Sequence, residues 1–261
     1  MKRLILCILA CFICSSSQAV TWVHAHNLTN KNSSSGATDT VSLGFTPASG
    51  SLLAVFCADW ASNTALSVSD NSSGPADTWV QLFPQFSGFH GTSSAETAWA
   101  TIVTAGTAPT SVSCNGANTS SIRLVIADNY TGGPSSVGID GTVATEQTTT
   151  NTASIGFSTG AVAGDLAWSA LSESAANTIT MTSGNFTLRG TAGGGASADD
   201  IVAGGIAANT RQTATYSISA STGTGAFVVA FTATGQNIKR STPVVWLEMS
   251  LLRRQWLRRF S

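Results

Sequence analysis

Charge is scarce in this chain. Lys, Arg, Asp and Glu make up 10% of its 261 residues, against about 25% in an ordinary soluble domain. With so few ionic groups, exposed surfaces must be covered by Ser, Thr, Asn and Gly. That composition disfavours surface helices, which draw on Ala, Leu, Glu and Lys. It suits β-strands, where Thr and Val fit a pleated face. Basic residues are scarcer still. From Val20 to Ile238 there are 4 basic and 12 acidic residues, so no basic stripe exists to follow a phosphate backbone. Nucleic acid is therefore excluded as a partner of this body.

Catalytic spacing is also missing. No Gly-x-Ser-x-Gly elbow occurs, which removes the commonest serine hydrolase signature. Glu96, Glu146, Glu173 and Glu248 have no acidic neighbour at i+2 or i+4, and glycoside hydrolysis needs two carboxylates across one cleft. Asp199 and Asp200 are adjacent and would point to opposite faces of a strand. Of three histidines, His24 and His26 are two apart. On a regular strand they would share a face and could chelate a metal, but no third ligand lies near them in sequence. The expectation is a non-enzyme that needs no cofactor.

What is present begins at the N-terminus. Lys2 and Arg3 precede an apolar run of 11 residues, Leu4 to Cys14, followed by Ser17-Gln18-Ala19. A basic start, a short apolar core and a small-x-small ending form a secretory signal peptide over residues 1–19. The run is too short to cross a bilayer, which needs about 20 apolar residues. The expected location is extracellular or periplasmic. Three of the five cysteines fall in the signal, leaving Cys57 and Cys114. In an oxidising compartment these pair or stay as two separately buried thiols, and the sequence leaves both open.

The body, residues 20–238, is a train of short β-type segments separated by turn residues about every 8–12 positions, the pattern of a sandwich or barrel. Thr215–Ser219 alternates cleanly, with Tyr216 and Ile218 on one face. A weak echo links two halves, about 40–132 and 152–235. Ser49-Gly50-Ser51-Leu52-Leu53-Ala54-Val55 resembles Ala163-Gly164-Asp165-Leu166-Ala167-Trp168, and Leu66-Ser67-Val68-Ser69 resembles Ile179-Thr180-Met181-Thr182. Residues 130–151, with Gly132-Gly133-Pro134, read as a connection between them. The preferred arrangement is one sandwich in which the halves interleave.

Several segments together resemble a group of bacterial secreted β-sandwich domains. They are Gly50-Ser51-Leu52-Leu53-Ala54-Val55, Val68-Ser69-Asp70-Asn71, Asp77-Thr78-Trp79, the Trp99 segment ending Ala105-Gly106-Thr107, and Ala127-Asp128-Asn129-Tyr130-Thr131-Gly132. The likeness covers about residues 40–235. It implies a lectin-like antiparallel fold and export. The chain departs from that pattern in a longer Asp70–Trp79 turn, and in Asp128-Asn129 where the group prefers Glu.

Candidate binding residues follow from side-chain chemistry. Trp60 and Trp79, at strand ends, offer aromatic faces on which sugar rings stack. Asp70, Asn71 and Asp77 flank a Gly-Pro turn and carry oxygens of the kind Ca²⁺ takes, although such residues also serve turns locally. The tail, residues 239–261, holds 6 basic residues and one acidic one. Leu252, Trp256 and Phe260 recur at i+4, with Arg254 and Arg258 off that line. This reads as a short basic amphipathic helix, with Arg254, Trp256 and Arg258 as contacts to a membrane surface or partner. The expected protein is all-β, an antiparallel sandwich or jelly roll, serving as a secreted surface or glycan-binding module that meets glycans or cell-surface components. A structural or adhesive matrix protein, and a glycan hydrolase or lyase, are the alternatives.

Overall fold

Alternation along each strand decides which faces close. In β2 (Thr38–Ser42), Asp39 and Val41 are buried while Thr38, Thr40 and Ser42 face out, as in a sheet covered on one side. In β3 (Leu52–Asp59) all eight positions are buried, so that strand is covered on both sides. The other strands are β1 (Val23–Asn32), β4 (Ser67–Asp70), β5 (Val80–Gln81), β6 (Ala95–Ile102), β7 (Ser111–Asn115) and β8 (Arg123–Thr131) in the first half. The second half holds β9 (Ile139–Gly156), β10 (Leu166–Glu173), β11 (Ile179–Met181), β12 (Thr187–Ala192), β13 (Gly195–Ile201) and β14 (Thr213–Phe231). The computed structural model describes residues 21–32, 38–60, 64–72, 77–86, 94–104, 106, 108–116, 123–156, 164–173, 175, 177–182, 186–201 and 213–233. Among these there is no helix, and every strand pairing is antiparallel. The expected signal peptide and basic tail, with Arg254, Trp256 and Arg258, lie outside the described residues.

The strand order repeats. The first half builds a large sheet in the order β1-β8-β3-β6-β5 and a small sheet β2-β7-β4. In the second half the large-sheet order is β9-β14-β10-β13-β12. Here β9 and β14 are long enough to serve twice. Ile139–Thr150 pair with Thr222–Phe231 in the large sheet; after a register shift, Thr152–Gly156 pair with Thr213–Ser217. With β11 pairing along Tyr216–Ile218, these ends form the counterpart of the small sheet. Among the described residues no strand of one half pairs with a strand of the other. The halves therefore do not interleave, contrary to expectation. Each forms its own sheets, and they meet through side chains. The expected connection over residues 130–151 is also corrected, because Tyr130 and Thr131 belong to β8 and residues 139–151 are strand.

The sheets stack in four layers. Leu52, Ala54 and Phe56 of β3 share a cluster with Leu166, Trp168 and Ala170 of β10, and with Phe227, Val229 and Phe231 of β14, so the two large sheets face each other. On its other face β3 presents Leu53, Val55 and Cys57 to Val41, Val68, Val112 and Cys114 of the small sheet. In the second half, Ala167 and Leu171 meet Ile155, Ile179, Ala214, Tyr216 and Ile218. Alternate residues of β3 and β10 thus serve two cores at once, which explains why every position of both strands is buried.

Cys57 of β3 and Cys114 of β7 are joined by a disulfide across the first outer gap. The strand registers make Leu171 and Tyr216 their counterparts in the second half. There the tie is a hydrogen-bond chain: Tyr216 Oη donates to Ser169 Oγ at 2.9 Å, and that hydroxyl donates to the Phe227 carbonyl at 2.7 Å. A crosslink spanning 57 residues restricts the unfolded chain substantially. Replacing both cysteines with serine is expected to lower unfolding free energy by about 2–5 kcal/mol, measured by urea denaturation. Unaltered stability would show that the crosslink contributes nothing.

Candidate functional site

The residues expected to bind ligand are used in packing and turns. Trp60 is only 7% exposed and belongs to the core between the large sheets. Its ring lies against Gly194, where any side chain would run into it. It is not a surface platform, because burial of its faces is what holds the end of β3 in place. Trp79 is half-buried against the first outer core, and its indole N–H donates to Asp70 Oδ2 at 2.8 Å. The other Asp70 oxygen accepts from the Ser72 backbone N–H at 2.8 Å and from the Ser72 hydroxyl. Asp77 Oδ1 accepts from both Thr104 N–H and Thr104 Oγ1, at 2.9 and 2.8 Å. The two carboxylates thus tether different segments, and the structure gives no contact between them. Asn71 Oδ1 accepts from the N–H groups of Thr110 and Ser111, at 2.9 and 3.0 Å.

The two histidines separate. A bulge in β1 falls between His24 and His26, and one extra residue reverses which face follows. His26 stacks on Phe45 with centroids 4.5 Å apart. His24 turns into the seam between the large sheets, 3.1 Å from Asp128 Oδ1. Asp128 is fully buried and well supplied with donors. Asn27 Nδ2 reaches its Oδ1 at 2.9 Å, and Trp168 Nε1 reaches its Oδ2 at 2.8 Å. Asn27 also donates to Ser197 Oγ across the seam at 2.9 Å. Beside them Arg189 Nε holds both oxygens of buried Asp199 at 2.9 Å. Burial raises the Asp199 carboxyl above its ordinary range, with Arg189 opposing the shift. Burial, together with neighbouring Asp199, pushes Asp200 up to about 6. Tyr130 is raised by burial and by the nearby Asp128 and Asp199.

This polar cluster has an apolar mirror. In the matching half-seam, Ile139 stands for His24, Val229 for Asp128, Phe231 for Tyr130, Ala54 for Trp168, Ala98 for Ser197 and Ala100 for Asp199. The cluster was invisible in the sequence because its members come from five strands, and the signal would have been polar residues breaking an apolar face. The carboxylates of Asp128 and Asp199 are engaged by protein donors and closed from solvent. That suits a structural lock better than a reacting centre. Among the described residues no group of three or more His, Cys, Asp or Glu is placed to hold a metal ion.

The exposed chemistry lies on the outer face of β2-β7-β4. Strand register lines up Thr38, Asn115 and Ser67 in one row and Thr40, Ser113 and Ser69 in the next. Ser42 and Ser111 follow, continued by Asn71. All nine are exposed or half-buried and none is charged. Neighbours hold each other in place: Thr38 Oγ1 donates to Asn115 Oδ1 at 3.0 Å, Asn115 Nδ2 to Ser69 Oγ at 3.1 Å, and the Thr40 and Ser113 hydroxyls are 2.7 Å apart. The result is a regular grid of hydroxyls and amides, spaced about 4.8 Å across strands and about 6.8 Å along them. Each hydroxyl can donate and accept. No protein-family model matches this chain, and neither a curated protein sequence nor a solved structure matches it.

One buried acid carries a pH signature. Glu96 on β6 is fully buried in the seam beneath Gly225. One oxygen accepts from the Ser172 hydroxyl, and Oε2 has no hydrogen-bond partner. Burial raises its pKa from 4.5 to about 8. Between those values the folded protein keeps a proton that the unfolded chain releases. The group's contribution is therefore full below pH 4.5 and is lost as pH rises toward about 8. Glu96→Gln, neutral at every pH, is expected to be more stable than the wild type at pH 8, by on the order of a few kcal/mol. The two should converge at pH 4.5. Thermal melts across that range check it; parallel curves would show that Glu96 is not held neutral.

Proposed function

We propose that the protein is an exported, non-enzymatic β-sandwich module that binds neutral polysaccharide at a cell surface. The observation that carries this reading is the charge-free hydroxyl grid on β2-β7-β4. A regular array of side chains that both donate and accept complements a polymer dense in hydroxyl groups. It offers no countercharge to a phosphate, sulfate or uronate polymer. A sheet face also suits an extended chain or packed array better than a single sugar held in a pocket. The signal-like residues 1–19 support export, and the disulfide accords with an oxidising compartment. Trp60 is buried in the seam and Trp79 packs on the first outer core, so neither belongs to the grid.

Binding through uncharged groups is insensitive to ionic screening. Co-sedimentation with insoluble neutral polysaccharides, such as cellulose and chitin, is expected to retain the protein equally in 0.1 M and 1 M salt. A heavily sulfated polysaccharide should retain it at least tenfold less. Release by salt, or no retention on any neutral polymer, would refute the assignment.

A further inference from the structure

The second half carries the counterpart of the same grid on the opposite outer face of the stack. Register lines up Thr152, Ser217 and Thr180 in one row. In the next, Ser154 lies opposite Thr215, and the Thr182 N–H donates to the Thr215 carbonyl. These positions are exposed or half-buried. The equivalence holds residue by residue: Thr40, Ser113 and Ser69 correspond to Ser154, Thr215 and Thr182. Even the central contact recurs, with Thr40 and Ser113 hydroxyls at 2.7 Å and Ser154 and Thr215 hydroxyls at 3.1 Å. No charged residue stands in either set of rows.

The halves have diverged elsewhere. Their seam positions differ in kind, with Asp128 against Val229, His24 against Ile139 and Asp199 against Ala100. A disulfide in one is replaced by Leu171 and Tyr216 in the other. The outer faces nonetheless keep the same uncharged hydroxyl chemistry. Because the layers lie in the order small sheet, large sheet, large sheet, small sheet, the two grids face away from each other. Three gaps of about 10 Å separate them by about 30 Å.

We infer that the protein is bivalent, each grid binding neutral polysaccharide, so that one molecule bridges two polymer surfaces. This rests on the polysaccharide binding proposed above and adds the second face and the crosslinking that follows from it. Two sites held rigidly back to back cannot both engage one flat surface, so occupancy of both requires a second one.

The test uses the full protein and dispersed cellulose or chitin particles, reading depletion from solution for binding and particle clustering for bridging. Thr40→Lys with Ser69→Lys disables the first face, and Ser154→Lys with Thr182→Lys the second. All four positions are exposed, and thermal melting confirms that each variant is folded. The wild type is expected to bind and cluster particles. Each single-face variant should still bind, within about twofold in amount, but lose clustering; the fourfold variant should do neither. Binding by the wild type without clustering, or clustering retained by a single-face variant, overturns bivalency while leaving polysaccharide binding intact. Undiminished binding by the fourfold variant overturns the assignment of both faces. No binding by the wild type overturns the proposed function itself.

Discussion

Closure of the seam between the two large sheets is the constraint on which the rest of the structure depends. Two sheets pack only when bulky residues on one face meet space on the other. Here the first half supplies the bulk and the second half the space. Glu96 of β6 lies against Gly225 of β14, where any side chain would collide with it, and Leu124 of β8 lies against Gly195 of β13 in the same way. The registers make Glu96 the counterpart of Gly195, and Leu124 the counterpart of Gly225. The first half thus contributes both large residues and the second half both glycines, at positions that a pseudo-twofold axis would exchange. A third close approach sets Gly190 of β12 beneath Asn27 and Thr29 of β1. The stack behaves as a dimer held within a single chain.

Aliphatic packing alone tolerates small slips, whereas hydrogen-bonded groups in the dry interior do not. Asp128 Oδ2, held by Trp168 of the opposing sheet, would lose that donor if the sheets moved by one residue, and a buried acceptor left unpaired costs about 1–3 kcal/mol. Asn27 and Ser197 make a second crossing nearby. The polar half-seam therefore fixes alignment, while its apolar mirror supplies burial. That division explains why polarity is concentrated around Asp128 rather than spread along the interface. It also explains why Asp128 and Asp199 are poor candidates for chemistry: their oxygens already accept from protein donors.

The all-β antiparallel class was legible because alternation survives on one-sided strands. Thr215 to Ser219 shows it, with Tyr216 and Ile218 buried between more open neighbours. The echo between halves was legible in β3 and β10, where a Gly turn precedes a buried run. It was not legible in the first strand of each half. β1 carries His24 and Asn27 where β9 carries Ile139 and its neighbours, so no side-chain likeness remains and only pairing reveals the match. Interleaving was wrongly preferred because Val137, Ile139 and Val143 read as part of one continuous core. Local pattern states that a segment is buried, not which sheet covers it. Trp60 was misread for a related reason: a tryptophan at a strand end looks the same in sequence whether its ring points outward or beneath a glycine in the opposing sheet. Asp128, Trp168, Ser197 and Asp199 form one cluster only after two sheets have closed, and no spacing rule joins residues so far apart.

Scarcity of charge poses a problem that the fold answers with backbone geometry. Open sheet edges invite pairing with other chains, and proteins commonly guard them with lysine. Here the edges of the large sheets are β1, β5, β9 and β12. A bulge interrupts β1 between His24 and His26, another interrupts β9 between Asp140 and Ala144, and a third interrupts β12 between Leu188 and Gly190. The remaining edge, β5, is two residues long. Bulges twist an edge and break its run of donors, and a two-residue strand has almost no run to offer. With the edges blunted in this way, the outward-facing rows of the outer sheets can stay uncharged. Blunted edges and uncharged outer faces are thus two parts of one solution to a chain poor in charge.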